Sequence, residues 1–183
     1  MTKLSVNLNK VALLRNQRDC PYPSVVGTAR MVIEVGAQGI TIHPRPDERH
    51  IRRSDVYELE SFLKDFPAIE YNIEGYPTPD FLDMVCSVAC HQVTLVPDAP
   101  DQKTSDHGWN IRQYYDDLKG IVARITAAGP RVSLFIDPDP DMAVLAAAIA
   151  RGTRSAILAS VFSFLAYNFF FIEPRFTLSV ARP

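Results

Sequence analysis

"GITIHPRPDERHIRRSDV", residues 39–56, changes character at one position. Ile40 and Ile42 alternate as the inward residues of a buried strand do. The alternation stops at His43, and Arg45, Asp47, Glu48, Arg49, His50, Arg52 and Arg53 follow within ten residues. Ser54 then has the chemistry of a helix cap, with Val56, Leu59, Phe62 and Leu63 forming one apolar face and Pro67 beyond its end. A strand that delivers a charged loop and then an amphipathic helix is one β/α unit.

The unit recurs. "LSVNLN" (4–9), "GITIHP" (39–44), "IEYNIE" (69–74), "HQVTLVP" (91–97) and "RVSLFID" (131–137) all have strand character. Between them lie helical segments at Ser24 to Val35, after Ser54, from Thr78 with Pro79 at its first helical position, over about Ile111 to Ala128, and from near Asp139. Such alternation argues for a parallel sheet covered by helices. Asn7, Asn9, His43, Arg45, Glu74, Asp98 and Asp137 all fall at or just past the C-terminal ends of their strands. That edge is the active-site face of a (β/α)8 barrel and the ligand crevice of an open doubly wound sheet.

A barrel has eight strands, and the pattern breaks after five. The expectation is an incomplete (β/α)8 TIM barrel of about five β/α units over residues 1–150, followed by an apolar C-terminal tail over 151–183. Ala156 to Ile172 is an almost uncharged run at the lower limit for crossing a bilayer, about 17–25 residues, with Arg151 and Arg154 before it. It reads as a membrane contact through 156–172, as a buried core helix, or as a strand pair broken at Asn168.

A chain of 183 residues with 47% hydrophobic and 22% charged content can bury a core without metal or disulfide staples. The formal charge of −2 gives no electrostatic reason to expect nucleic acid as a partner. Charge is uneven, however: the last 33 residues carry a local +3, leaving −5 for residues 1–150. Three cysteines have no pairing logic, and the N-terminus lacks a signal-peptide pattern, so a cytoplasmic setting is expected. Cys86, Cys90 and His91 have metal-like spacing but no second cluster to complete a tetrahedral site, and core packing is the simpler reading. Neither a metal nor a cofactor is expected.

His43 at a strand end could carry protons near neutral pH, or serve as a structural hydrogen-bonder. The arginines beside it, with His50, suit phosphate or carboxylate, and they equally suit a solvated, self-neutralising charge run. Asn72 and Glu74 share one side of their strand. A carboxylate inside a ring of strands is either used chemically or paired with an arginine. Asn7 and Asn9 repeat the same spacing on the first strand, with Lys10 and Arg18 further along the loop, and Thr104, Ser105 and Gly108 offer donors to a phosphate. Several anion-friendly patches on one edge point to phosphorylated small molecules.

Four runs, "VNLNKVALLRNQR", "GITIHPRPDERHIRRSDV", "YNIEGYPTPDFLDMV" and "HQVTLVPDAPDQKTSDHGWN", in this order and spacing, closely resemble the pyridoxine 5′-phosphate synthase family of the deoxyxylulose-dependent vitamin B6 pathway. The resemblance covers residues 1–150 and implies a cytoplasmic, oligomeric (β/α)8 transferase. That family condenses 1-deoxy-D-xylulose 5-phosphate with 3-amino-2-oxopropyl phosphate and releases phosphate and water. By motif, it implies acid/base roles for His43 and Glu74. Asn7, Arg18, His50 and Thr104 match residues that hold the amino-ketone phosphate, and Asn9, Lys10 and Arg45 match positions that handle the deoxyxylulose phosphate. Asn9 and Lys10 depart from the Asp-His pair commoner there, and lysine contacts phosphate without buffering protons at neutral pH.

The later strands of that family, with a further glutamate, a histidine loop and a glycine-rich phosphate site, have no counterpart here. Instead "SAILASVFSFLAYNFFFIEPRFTLSV" resembles part of the transmembrane region of osmosensitive potassium-channel sensor histidine kinases, which implies a fusion near Ala150–Arg151. Three functions compete on this basis: an enzyme of the family, a non-catalytic fragment anchored or plugged by its tail, and a module that binds phosphorylated ligands without turnover.

Overall fold

Along each strand, residues of one parity are apolar and the others are polar. Ile40, Ile42, Tyr71, Ile73, Val93, Leu95 and Val132 are all buried, and the strand register brings them to the same face. Ser5, Thr41, Asn72, Thr94 and Arg131 occupy the other face. The computed structural model describes residues 2–18, 20–98, 102 and 105–149. The tail over 151–183, its 156–172 segment and Thr104 lie outside the described residues.

The strands are β1 (Ser5–Asn7), β2 (Gly39–Ile42), β3 (Glu70–Gly75), β4 (Gln92–Leu95) and β5 (Arg131–Leu134). They form one parallel sheet in the order β1-β2-β3-β4-β5. The helices are α1 (Asn9–Asn16), α2 (Val25–Glu34), α3 (Arg53–Leu63), α4 (Pro79–Ser87), α5 (Tyr115–Ala128) and α6 (Pro140–Ile149). Residues from all six join the apolar strand face in one core: Ala12, Ala29, Leu59, Val85, Ile125 and Ile149 are examples. Each of the larger side chains contributes roughly 1.5–3 kcal/mol on burial, and each alanine methyl about 0.8 kcal/mol.

Among the described residues, strand order without reversal and helices on one face only decide between the two architectures open from sequence. A doubly wound sheet reverses its order at a switch point and carries helices on both faces. Here the five units are consecutive staves of a barrel wall, helices outside and polar face inside, and the fold is a partial TIM barrel.

The inner face is knitted across strands. The Ser5 and Thr41 hydroxyls lie 2.8 Å apart, Asn72 Nδ2 donates to Thr41 at 3.3 Å, and Thr94 donates to Asn72 Oδ1 at 2.9 Å. Gln92 extends the row, accepting from Arg131, which pairs with Glu70 at 2.7 Å. Buried polar groups satisfied in this way avoid the penalty of unpaired burial.

Thr78 caps α4 as expected, accepting from Phe81 N at 3.2 Å, with Pro79 in the first turn. Gly129 ends α5 at φ 119, a conformation side-chain-bearing residues rarely adopt. Three boundaries differ from expectation. Ser54 lies inside α3 and does not cap it; Asp55 accepts the backbone N–H of Arg52 at 2.7 Å and so closes that terminus. α5 begins at Tyr115, because Asn110 holds residues 110–113 in a turn by accepting from Gln113 N. Residues 9–16, read as strand end and loop, form α1; only Ala12 and Arg15 are buried on it, too sparse a stripe for periodicity to reveal.

Candidate active site

β1, β2 and β3 present their C-terminal ends side by side, and three short links join the groups there. Asn7 Oδ1 accepts from Asn9 N at 2.9 Å, Asn9 Oδ1 accepts from the backbone N–H of His43 at 2.8 Å, and Asn7 Nδ2 donates to Glu74 Oε2 at 3.4 Å. The two asparagines therefore space the imidazole and the carboxyl relative to one another. His43 is buried, and burial drives its pKa down from 6.5 to about 4; Asp98 opposes this, while Arg45, His50 and Arg49 add to it. Burial pushes the Glu74 carboxyl the other way, from 4.5 up to about 7, with the Asp98 charge adding to the rise and the Asn7 hydrogen bond opposing it. Near neutrality the edge thus holds a neutral imidazole that can accept a proton and a carboxyl that can donate one. Glu74 forms no ion pair among the described residues, so the arginine pairing open from sequence is not found.

Arg45 is instead opposite Asp98, 3.3 Å from Nη1 to Oδ2, and both side chains are almost wholly buried. Ser105 donates to the same oxygen at 2.6 Å. The rest of the loop after β2 is partly self-neutralised, since Arg49 pairs with Asp47 at 2.6 Å. It is also suspended from α1. Arg15 Nη1 meets Asp55 at 2.5 Å, Arg15 Nη2 donates to His50 O at 3.2 Å, and Asn16 Nδ2 donates to Glu48 O at 3.1 Å and to His50 O at 2.8 Å. These anchors hold the His50 ring 5.9 Å from that of His43. Burial lowers the His50 pKa, and the charges of Arg45, Arg49 and Lys10 lower it further. Lys10 is exposed in the first turn of α1, and Arg18 is exposed just past that helix.

The loop after β4 is registered by β5. Trp109 Nε1 donates to Leu95 O at 3.0 Å, Trp109 N to Phe135 O at 2.8 Å, and Gly108 N to Asp137 Oδ1 at 3.0 Å. A Cβ at Gly108 would lie 2.2 Å from Asp137 N, so no side chain fits there. Between the loops after β2 and β3, a cavity of about 300 Å³ is lined by His43, Arg45, Arg53, Tyr76, Phe81 and Asp98, among others.

Cys86 and Cys90 are half-buried, and burial pushes the Cys90 thiol up to about 12. His91 Nδ1 accepts from Tyr71 N at 3.1 Å. Among the described residues no group of three or more His, Cys, Asp or Glu could hold a metal ion, and no helix is long and apolar enough to cross a membrane. The sequence reading passed over Arg15, Asn16 and Asp55, which no local pattern marks, and it noted Asp98 only as one polar strand end among several.

The model of pyridoxal phosphate biosynthesis protein PdxJ matches residues 4–155, and that of a domain of unknown function, DUF4118, matches residues 142–183. A pyridoxine 5′-phosphate synthase of Brucella anthropi is 58% identical over 139 residues, which is 75% of this chain and 57% of that protein. One from a Chelativorans species is 54% identical over 151 residues, covering 82% of this chain and 61% of that protein. The chain therefore spans about three-fifths of the length of these relatives. A solved dihydropteroate synthase of Burkholderia cenocepacia aligns with a TM-score of 0.39 at 14% identity, over 72% of this chain and 56% of that one.

Proposed function

The chain belongs to the family of pyridoxal phosphate biosynthesis protein PdxJ, and on that premise we propose that it is a pyridoxine 5′-phosphate synthase-type transferase. It would join 1-deoxy-D-xylulose 5-phosphate to 3-amino-2-oxopropyl phosphate and release phosphate and water. The observation that carries this reading is the opposed protonation of His43 and Glu74 on adjacent strands. Ring closure needs protons taken from carbons beside carbonyl or imine groups and protons given to departing hydroxyls. His43 is unprotonated and so available for the first task, as a weak base until a bound anion raises its pKa, and a carboxyl titrating at about 7 suits the second.

In this reading Asn7, Arg18, His50 and Thr104 hold the amino-ketone phosphate, while Asn9, Lys10 and Arg45 handle the deoxyxylulose phosphate. Asn7 and Asn9 also fix the separation of the proton carriers through their hydrogen bonds. Arg45 would reach phosphate from a buried position, where a guanidinium is worth more than in water. The synthase unit is residues 1–150, a cytoplasmic protein in the family's manner. In the same proposal residues 151–183 are an apolar tail that resembles a sensor-kinase transmembrane segment and contacts a membrane through 156–172, and the chain associates with further copies.

The test is pyridoxine 5′-phosphate formation by the purified chain given both substrates, with His43→Ala as control. Product that disappears in the control supports the reading; no product from a folded chain overturns turnover. A second reading, ligand binding without turnover, is favoured by the cavity lined by Arg45 and Arg53, which can hold a phosphate whether or not chemistry follows. It expects a rise in Tm with deoxyxylulose phosphate and no product.

A further inference from the structure

Asp98, three residues past β4, is 3% exposed. Its Oδ2 is satisfied twice, by the Ser105 hydroxyl at 2.6 Å and by Arg45 at 3.3 Å. Its Oδ1 is buried and has no hydrogen-bond partner among the described residues. An orphaned carboxylate oxygen is costly, and folds generally satisfy such groups or use them. Asp98 also lines the cavity of about 300 Å³ that holds His43, Arg45 and Arg53. That volume lies at the small end of ligand sites, which run to roughly 300–1,000 Å³. Its walls match a phosphorylated carbon chain: guanidinium groups for the phosphate, and Tyr76, Phe81 and Met84 for the skeleton. Glu48 and Asp80 line the cavity as well, and carboxylates repel phosphate, so anion binding alone gives no account of the buried one at Asp98.

We propose that Asp98 contacts the substrate directly: a turn of its carboxylate brings the covered, unpaired Oδ1 to the wall of the His43–Arg45 cavity, where it accepts a hydrogen bond from a hydroxyl on the carbon chain of the sugar phosphate. This rests on the reading that the site takes phosphorylated carbon compounds. Because Oδ2 already pairs with Arg45, one carboxylate both orients the group assigned to the sugar phosphate and reads that ligand's hydroxyl. The site thereby selects hydroxyl-bearing phosphates over phosphate itself.

The full chain is titrated calorimetrically with 1-deoxy-D-xylulose 5-phosphate, butyl phosphate and inorganic phosphate, as wild type, Asp98→Asn and Asp98→Glu. Wild type should prefer the sugar phosphate to butyl phosphate by about tenfold or more, the range of a hydrogen bond to a charged group. Asp98→Asn should weaken the sugar phosphate by a similar factor while leaving the other two unchanged or tighter, since a negative charge is gone. Asp98→Glu, which keeps the charge opposite Arg45, should recover part of the preference and should fold where the amide does not. Equal change of all three ligands in Asp98→Asn overturns the proposal, since Asp98 would then act only through Arg45 or through charge. A wild type that binds both plain phosphates but shows no preference for the sugar phosphate overturns it while leaving a phosphate site standing. A wild type that binds none of the three removes the functional reading with it.

Discussion

Replacing Glu74 by Gln should make the folded chain more stable above pH 7, at the expense of turnover. Burial and the nearby Asp98 charge hold the Glu74 carboxyl at about 7 in the fold, against 4.5 for an ordinary glutamate. The folded state therefore binds more protons than the unfolded one between these values, and stability falls as pH rises through the window. At about 1.4 kcal/mol per pH unit, the ionised side chain costs the fold about 3 kcal/mol at pH 8 and nothing below pH 4.5. Gln is uncharged, fits the same space and can still accept from Asn7 Nδ2. His43 works in the opposite sense: with its pKa at about 4 instead of 6.5, it costs stability as pH falls from 6.5. In the parent chain the two slopes overlap between about pH 4.5 and 6.5 and largely cancel. In Glu74→Gln the histidine slopes remain, His50 acting in the same sense as His43, so stability should climb by at least about 3 kcal/mol between pH 4 and 6.5 and then level off. Urea unfolding of both chains from pH 4 to 8, read as the difference in unfolding free energy, measures this directly. Equal stability of the two chains at pH 8 would refute the claim that the edge holds Glu74 protonated to neutrality, and the acid role would fall with it.

Asp55→Ala should be the most damaging single change outside the core. It strands the buried Arg15 guanidinium and removes the acceptor that closes α3, for a loss of about 3–5 kcal/mol in urea unfolding. Gly108→Ala should displace the loop carrying Ser105 and Trp109, because its Cβ would lie 2.2 Å from backbone nitrogen. Trp109 fluorescence should shift, and affinity for the sugar phosphate should drop even where the chain stays folded. Thr78→Ala should cost about 0.5–2 kcal/mol in urea unfolding through loss of the α4 cap.

The staves of the barrel were legible because the five strands and every helix but α1 announce themselves locally: Ile40 and Ile42 alternate, Val56, Leu59 and Leu63 recur at helical spacing, and Thr78-Pro79 opens a helix. Which face each strand residue meets also followed, since Asn72 and Glu74 must share a side. What could not be read was pairing at a distance. Arg15 and Asp55 are forty positions apart, and nothing in either neighbourhood names the other. The Asn7–Asn9 relay was visible as two asparagines at strand-face spacing, but its targets, His43 N–H and the Glu74 carboxyl, depend on the register of β1 against β2 and β3. Choosing between barrel wall and doubly wound sheet was likewise a question of handedness and order, which periodicity does not encode.

The anchoring of the loop after β4 bears on how such barrels can be divided and recombined. β5 supplies no residue to the proton-carrying pair, yet Phe135 and Asp137 beyond it hold Trp109 and Gly108, and through them the segment bearing Ser105. A cut placed after β4 would keep every strand that carries a proposed catalytic group and still release the strap that closes on Asp98. For this loop the heritable module is a strand with its successor, β5 serving as the jig for the loop after β4. A gene joined past β5 passes on the anchor of Trp109 and Gly108 and leaves intact the edge that His43 and Glu74 share.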